Sequence, residues 1–451
     1  MLSYIPESIF FLLQNPRIAL FFHIIQSLAM YNIIGFLLSP IRSFLLFLLY
    51  FMISPILAIF SISGYIVVGS YFNNYDTEIK TAEYIDFNNP DDSNRFLNKK
   101  IPVSYAIDLY INNKIHFKRD TLELFCNRHK VFHFKISLVD LKYYINEFMY
   151  KTFSHKKIED QKDVSETYNI GNDFYNMFLG EKMVYTCGLY GKDSTLEESQ
   201  MNKLDYVADK LKLGEGDKHL DIGCGWGALC NYFSSKYKTN STGVTLSSEQ
   251  KDYAVSKMST PVNYVVSDVR DMEYQRYKKI SCLEMAEHIG IRNFSPFISM
   301  IYDILEDDGI FYLQIAGLRR AWNYEDLIWG LFMDKYIFPG ADASCPLDFV
   351  VSNLERNGFE VKSVDNYGTD YSKTIRDWYF NWRKNKDYII NKYGIKNWRI
   401  FDIFLAWSTI IASQGSSTVF MITCNKNLKH DSETTKDVST FINRTELFKR
   451  F

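Results

Sequence analysis

Residues 219–233 read HLDIGCGWGALCNYF, a stretch that contains a short apolar strand, a glycine-rich turn and the start of a helix. The strand ends at Ile222, and glycines then occupy alternate positions of the turn, namely Gly223, Gly225 and Gly227. Glycine lets the backbone turn tightly and approach a ligand closely, while the following helix presents free N–H groups. The spacing is GxGxG rather than GxGxxG, and Asp221 precedes it, so the turn predicts a ligand-binding loop between a strand and a helix.

On both sides of this turn the sequence alternates between strand-like and helical stretches. The strand-like segments are HLDIG, TGVTL, VNYVVSD, KISCLEM, GIFYLQIAG and TVFMITC. Helical stretches such as SQMNKLDYVADKLKL separate them. This alternation over residues 166–428 predicts an α/β domain with a doubly wound, Rossmann-like sheet, and it leaves the direction of the final strand open.

Composition excludes several classes of protein. The chain has 451 residues, which is enough for about three domains. Hydrophobic residues make up 47% and charged residues 23%, and the 51 basic side chains nearly match the 53 acidic ones, so neither a disordered chain nor a nucleic-acid-binding one is indicated. Seven cysteines without a CxxC pair indicate reduced thiols in a cytosol-like compartment, and no ligand spacing predicts a metal site.

The first 70 residues are predicted to form a membrane anchor. Residues 18–38 lie in a stretch without charged side chains, and residues 43–68 are almost wholly apolar. Each run is long enough to cross a bilayer as a helix, so we expect two transmembrane helices joined as a hairpin. Because His23, Gln26 and Asn32 are costly in lipid, an interfacial helix is the alternative for the first run.

Two further regions flank the predicted α/β domain. Residues 71–165 begin as a polar, asparagine-rich linker and continue as a small helical or mixed subdomain near the membrane. The basic and aromatic content of this subdomain suits a membrane-facing surface, and a solvated face is the alternative. Residues 429–451 are predicted to be a polar C-terminal tail.

Four segments together resemble the cyclopropane-fatty-acid synthase superfamily of S-adenosylmethionine (SAM)-dependent methyltransferases. They are ETYNIGNDFYNMFLGEKMVYTCGLY (166–190), LDIGCGWGALCNYF (220–233), TGVTLSSEQ (242–250) and CLEMAEHIG (282–290). Residues 311–355 and 411–422 are similar to a narrower branch, the fungal-type sphingolipid C-9 methyltransferases. The resemblance implies a class I methyltransferase fold and SAM as the cofactor.

The resemblance also implies a set of cofactor-binding residues. They are Tyr185, Thr186, His219, Leu220, Asp221, Ile222, Gly223, Cys224, Gly225, Trp226, Gly227, Thr245, Leu246, Ser247, Ser248, Glu249, Gln250, Val269 and Arg270. Rossmann-like sites commonly hold the ribose with an acidic residue at the end of the second strand, and Glu249 or Gln250 must serve here. The alternative is that Ser247 and Gln250 cap the helix that begins near them.

By the same resemblance, a bicarbonate ion would lie near the transferred methyl group. Its pocket would comprise the backbone of Cys187, the carboxylate of Glu287 and the hydroxyl of Tyr371. Cyclopropane synthases carry a histidine where this chain has Gln314. Glutamine forms hydrogen bonds but carries no charge, so the substitution weakens the prediction of bicarbonate.

The chemistry of this family explains why a base is needed. An alkene is a weak nucleophile that must be held against the methyl group, with water excluded from the cation that forms. A base then removes a proton, and its position decides whether the product is a cyclopropane or a methyl-branched alkene. Glu287 is the candidate base, and the alternative is a buried carboxylate that orients SAM or a backbone amide.

We therefore expect a SAM-dependent C-methyltransferase that methylates carbon 9 of the C8=C9 double bond of a sphingoid base in ceramide or glucosylceramide. The alternatives are cyclopropanation or methylation of unsaturated phospholipid acyl chains, and a catalytically silent membrane scaffold. The expected partners are the lipid substrate and the bilayer, and no sequence pattern specifies an oligomeric state. Free cysteines and the need for SAM favour an endoplasmic reticulum membrane protein whose catalytic domain faces the cytosol.

Overall fold

A computed structural model describes residues 40–72, 78–148, 167–272, 275–321, 323–341 and 345–428. Its contacts divide the chain into two compact units, Met1–Asn74 and Tyr75–Phe451. The second unit contains both the predicted mixed subdomain and the predicted α/β domain.

The described part of the first unit is a single helix, Pro40–Phe72, which contains the predicted span 43–68. Several of its large apolar side chains are exposed, including Phe44, Leu49 and Met52. Among the residues whose side chains the structure describes, no helix has both the length and the apolar character of a membrane span. The other predicted span, 18–38, lies outside the described residues.

The second unit begins with short elements that form a small mixed subdomain. Its helices are Thr81–Tyr84, Pro90–Phe96, Val103–Ile111, Thr121–Cys126, Arg128–Val131 and Leu138–Tyr143, followed by a π-helix at Tyr144–Phe148. Ile85–Phe87 pairs antiparallel with Ile115–Phe117, and Ile101–Pro102 pairs parallel with Phe132–His133. Side-chain caps fix several of these short helices, as where Asp120 accepts a hydrogen bond from the N–H of Leu122.

A seven-stranded sheet forms the centre of the second unit. In chain order the strands are β1 (Lys218–Ile222), β2 (Asn240–Thr245), β3 (Asn263–Val266), β4 (Tyr277–Leu283), β5 (Leu305–Leu318), β6 (Phe359–Asn366) and β7 (Ser417–Lys426). Their order in the sheet is β6-β7-β5-β4-β1-β2-β3. The first five are parallel to one another, whereas β7 is antiparallel to both β5 and β6. The predicted α/β class is confirmed, and the final strand is antiparallel.

Helices cover both faces of this sheet, so most residues of the strands β1, β4, β5 and β7 are buried. The longer helices are Asn172–Leu179, Leu196–Leu211, Ala228–Tyr237, Ser248–Ser256, Ile291–Ile304, Tyr324–Tyr336, Leu347–Arg356, Gly368–Lys384 and Lys386–Ser413, and there are 3₁₀ turns at Val269–Asp271 and Ala286–His288. Leu220, Ile280, Phe311 and Leu313 are fully buried in the core that the sheet forms with these helices.

The strand order reverses at β1, which lies between β2 and β4. In doubly wound sheets, ligands bind beyond the carboxyl ends of the strands at such a reversal. The glycine turn follows β1, and residues 284–288 follow β4. The fold therefore brings the two predicted site segments to one edge of the sheet.

A buried ion pair joins the mixed subdomain to the helices of the α/β domain. Arg128 Nε lies 2.5 Å from Glu325 Oε1, and Arg128 Nη2 lies 3.2 Å from Glu325 Oε2. Trp407 Nε1 donates to the same carboxylate at 3.1 Å, and Gln414 accepts a further hydrogen bond from Arg128 at 2.6 Å. Both charges are thus fully engaged although the two side chains are nearly inaccessible to solvent.

Removing Arg128 should leave the Glu325 carboxylate buried without its counter-charge. We expect Arg128→Ala to lower the free energy of unfolding by about 3 kcal/mol, because the remaining carboxylate is buried without a charge to compensate its lost hydration. Thermal unfolding followed by circular dichroism measures the loss. Arg119→Ala is the matched control, since its pair with Glu123 is half exposed and contributes less than about 1 kcal/mol. Equal effects of the two substitutions would contradict the assignment.

Candidate active site

A cavity opens at the carboxyl ends of β1 and β4. The segments that line it include residues 183–186, 221–226, 244–246, 267–270 and 283–285. Most of the predicted cofactor residues are among them, from Tyr185 and Thr186 to Asp221, the glycine turn, Gln250 and Arg270. The predicted residues outside the lining are His219, Leu220, Gly227, Ser247, Ser248 and Glu249.

His219 and Leu220 precede Asp221 on β1, so they lie deeper in the sheet than the residues that line the cavity. Leu220 is fully buried in the apolar core. The His219 ring bridges the hydroxyls of Ser241 and Ser281, at 3.2 Å and 2.9 Å. Burial lowers the pKa of His219 to about 3, so the ring is neutral and structural.

Near β2 the capping alternative is observed for Ser247. Its Oγ accepts a hydrogen bond from the N–H of Gln250 at 3.2 Å and so caps the helix Ser248–Ser256. Gln250 itself is buried against the cavity, where its Oε1 accepts a hydrogen bond from Thr245 Oγ1 at 2.6 Å. Of the two residues predicted to hold the ribose, Gln250 lines the cavity and Glu249 does not.

The glycine turn leaves room for a ligand at its backbone. Gly223 has φ +78°, and a Cβ there would lie 2.4 Å from Met285 Cγ, so only glycine fits. Gly225 has φ +50° and would direct a Cβ into open space. A side chain at Gly225 would therefore stand where the cavity admits a ligand to the backbone.

Asp221 places a buried carboxylate beside this turn. Its Oδ1 accepts a hydrogen bond from Ser281 Oγ at 2.6 Å, and the same hydroxyl contacts His219. Burial raises the pKa of Asp221 to about 6, against the hydrogen bond from Ser281, which lowers it. The carboxylate is thus ionised at neutral pH and can accept hydrogen bonds from the charged or polar groups of a ligand.

Two buried charged residues of the lining were missed by the sequence analysis. Asp268 follows β3 and accepts hydrogen bonds from Arg270 Nε at 2.9 Å and Nη2 at 2.7 Å. It closes the strand-like segment VNYVVSD, so its position at a strand end was a usable signal. Lys203 donates to Thr186 Oγ1 at 2.7 Å, and burial lowers its pKa to about 8. Lys203 lies four residues before Val207 on the buried face of its helix, which was the only signal for it.

The residues predicted to hold an anion meet at a different carboxylate from the one predicted. Glu284 Oε1 accepts hydrogen bonds from the N–H of Cys187 at 2.9 Å and from Gln314 Nε2 at 2.6 Å. The hydroxyl of Tyr371 lies beside the same carboxylate. Burial raises the pKa of Glu284, and the donors Cys187 and Gln314, the positive charge of Lys203 and the neighbouring Tyr371 hydroxyl oppose that rise. The prediction of a bicarbonate ion at these donors gains no support.

Glu287, the predicted base, lies one 3₁₀ turn further on and outside the cavity lining. Its Oε1 accepts a hydrogen bond from the N–H of Ala316 at 2.5 Å. Its Oε2 is buried and has no hydrogen-bond partner among the described residues. Burial, and then repulsion from Glu284, raises the pKa of Glu287 to about 8, so this group is mainly protonated at neutral pH. Its role as a base stays a prediction.

The residues around the cavity fit SAM. The cofactor carries an ammonium, a carboxylate, ribose hydroxyls and an adenine, and the lining offers Asp221, the open turn at Gly225, Gln250 and Asp268. The buried hydroxyl of Tyr185, which also faces the cavity, has no hydrogen-bond partner among the described residues. The described residues contain no group of side chains that would hold a metal ion.

Comparison with known proteins points the same way. Residues 155–422 match the family described as Mycolic acid cyclopropane synthetase. The Sphingolipid C9-methyltransferase of Komagataella phaffii is 42% identical over 411 residues, which cover 86% of this chain and 83% of that protein. Sphingolipid C9-methyltransferase 2 of Gibberella zeae is 44% identical over 357 residues, covering 76% of this chain and 68% of that protein. The solved structure of mycolic acid cyclopropane synthase CmaA1 complexed with SAH and CTAB is 25% identical, with a TM-score of 0.57 over 59% of this chain and 98% of that one.

The doubly wound sheet, the cavity at its strand reversal and the SAH-bound neighbour define a class I SAM-dependent methyltransferase. Within that class, relatives above 40% identity span most of the chain. The chain belongs to the sphingolipid C9-methyltransferase family.

The charge of Asp221 should control the affinity for SAM. We expect Asp221→Asn to weaken binding about 10- to 100-fold, because a hydrogen bond to a charged group contributes about 1.5–3 kcal/mol. Wild-type affinity should fall as the pH drops through the pKa of about 6, since protonation removes the charge, and the variant should lack this inflection. Calorimetric titration with SAM across that range measures both effects. Asp252→Asn, an exposed substitution on a neighbouring helix, is the control, and unchanged affinity in Asp221→Asn would remove this residue from the cofactor site.

Proposed function

We propose that this chain transfers the methyl group of SAM to carbon 9 of the C8=C9 double bond of a sphingoid base in ceramide or glucosylceramide. The observation that carries the proposal is the identity of 42% and 44% to two named sphingolipid C9-methyltransferases over most of the chain. The cavity supplies the matching chemistry, because buried carboxyl groups lie beside the predicted cofactor turn.

A second, apolar cavity supports a lipid substrate. Its lining is mainly aromatic and aliphatic, and includes Tyr175, Ile337, Phe338 and Phe401. Tyr185 lines both this cavity and the one predicted to hold SAM. An aliphatic chain lying there would bring its double bond to the cofactor cavity while the aromatic walls exclude water.

A related reaction is the second candidate. The family profile that matches residues 155–422 is named for cyclopropane synthesis, so cyclopropanation or methylation of phospholipid acyl chains uses the same fold and cofactor. At a given double bond, cyclopropanation and methyl branching differ only in which proton leaves the methylated intermediate. A cyclopropane forms when the proton leaves the new methyl group, and a branched alkene forms when it leaves the methylated carbon.

Identification of the labelled product tests the proposal. Membranes containing the protein are incubated with labelled SAM and a mixed panel of unsaturated ceramides, glucosylceramides and phospholipids. We expect label in a sphingoid base that retains its double bond and carries a methyl branch, which NMR detects although the mass gain equals that of cyclopropanation. A cyclopropane on a phospholipid acyl chain would instead establish the second candidate.

We also propose that residues 1–70 attach the protein to the endoplasmic reticulum membrane, with the α/β domain in the cytosol. The charge-free runs 18–38 and 43–68 support the attachment. Seven cysteines without a CxxC pair and the need for SAM support the cytosolic side. A bilayer anchor would confine the enzyme to the surface that contains its lipid substrate.

Fractionation of cells that express the full chain tests this attachment. The protein should stay in the membrane pellet after an alkaline wash, because apolar spans resist treatments that release peripheral proteins. Protease added to sealed microsomes should digest the α/β domain. Release into the supernatant would contradict the anchor, and protection from protease would contradict the cytosolic orientation.

A further inference from the structure

We propose that Glu284, rather than Glu287 or a bound bicarbonate, supplies the base of the reaction, and that its carboxylate permanently occupies the predicted anion position. The inference rests on the proposed function for the identity of the substrate. It adds a catalytic residue that the sequence analysis did not single out.

The polar groups predicted to hold an anion surround Glu284. The N–H of Cys187 and the amide of Gln314 donate to its carboxylate, and the hydroxyl of Tyr371 lies beside it. These are the groups predicted to hold a separate anion. With Glu284 present, their hydrogen bonds are already made, and a second anion at the same donors would meet a carboxylate of like charge.

Glu284 also lies on the wall of the cofactor cavity. Glu284 lines the cavity predicted to hold SAM, together with Asp221 and Lys203, whereas Glu287 does not line it. A base must reach the proton that it removes, either directly or through one water molecule. Of the two carboxyl groups, Glu284 has the required access.

The backbone holds Glu284 in this position. Its φ of +50° lies in the left-handed region, which is uncommon for glutamate, at the end of β4. The N–H of Glu284 donates to the carbonyl of Gln314 at 2.7 Å, and the side chain of Gln314 donates to the Glu284 carboxylate. The backbone and the side chain of one residue on β5 therefore fix both ends of Glu284.

The neighbouring carboxyl groups of Glu284 and Glu287 differ in protonation state. Hydrogen bonds from Cys187 and Gln314 and the nearby Lys203 ammonium stabilise the charged form of Glu284 against burial, which raises its pKa. Glu287 has one backbone donor, and the charge of Glu284 raises its pKa further. Paired groups in such different environments take opposite protonation states, so Glu284 is the ionised partner and Glu287 holds the proton.

The proposed step balances without a further reactant. When bound, SAM supplies an electrophilic methyl group. The π electrons of the alkene form the new carbon–carbon bond at C9, the sulfur–methyl electron pair stays on sulfur, and positive charge develops at C8. The C9 proton then passes to the Glu284 carboxylate, and the C9–H electron pair restores the C8=C9 double bond.

Two substitutions at Glu284 separate its charge from its shape. Glu284→Gln keeps a hydrogen-bond acceptor of the same size but removes the basic group, so turnover should fall by about 100-fold or more. Calorimetric affinity for SAM should change by less than about threefold, because the cofactor contacts remain in place. Glu287→Gln, measured in parallel, should lower turnover less than Glu284→Gln does.

Glu284→Gly opens the anion position with little backbone strain, because glycine favours the positive φ found there. Added bicarbonate or formate should raise turnover of this variant about tenfold or more, and should leave the wild type unchanged. Carbon-13 NMR with labelled bicarbonate gives a readout that needs no turnover, since the variant should bind the ion and the wild type should not. Lys212→Gly is the matched control, because Lys212 also has a positive φ but is exposed at the end of a helix.

The outcomes distinguish this inference from the proposed function. Near-normal turnover in Glu284→Gln would overturn the inference, and loss of turnover only in Glu287→Gln would return the role to Glu287. Bicarbonate binding by the wild type would also overturn it. If the wild type methylates another lipid, the proposed substrate fails, and the same variants test Glu284 on that lipid.

Discussion

The carboxylate of Glu284 is the interaction on which the arrangement of the site depends. It gathers polar groups from three separate parts of the chain. The N–H of Cys187, before the helix Leu196–Leu211, and Gln314 on β5 donate to it, and the hydroxyl of Tyr371 on the helix Gly368–Lys384 lies beside it. These groups have no reason to converge unless an anion lies among them, since each is a buried donor that needs an acceptor. The charge of one side chain thus fixes the relative positions of a loop, a strand and a helix.

Burying that charge would be unfavourable without compensation. The compensation comes from the hydrogen bonds of Cys187 and Gln314 and from Lys203, whose ammonium is held in the same cavity by Thr186. The charge of Glu284 also raises the pKa of Glu287, so Glu287 stays protonated beside its ionised neighbour. The two carboxyl groups together carry one negative charge, which lies on Glu284. This carboxylate can accept a proton, so the site needs no ion from solution as a base.

Apolar side chains surround these charges and exclude water from them. Tyr185 lies in an aromatic group with Tyr168, Trp378 and Phe338, and it lines both the cofactor cavity and the second, apolar cavity. Water excluded by such walls cannot capture a carbocation or screen the carboxylates. The buried Arg128–Glu325 pair fixes the mixed subdomain against the helices Tyr324–Tyr336 and Lys386–Ser413, which contribute residues to those walls.

The sequence alone determined the α/β class, the position of the glycine turn and most of the residues that line the cofactor cavity. These features follow from local patterns, because strand alternation and glycine spacing act over a few neighbouring residues. Three features depend on contacts between distant segments, and the folded chain alone shows them. Glu284 rather than Glu287 meets the donors, and the hydroxyls of Ser241 and Ser281 hold His219. Lys203 and Asp268 face the same cavity. Two glutamates three positions apart are equivalent in the sequence, and a positive φ at Glu284 together with contacts from distant segments makes them different.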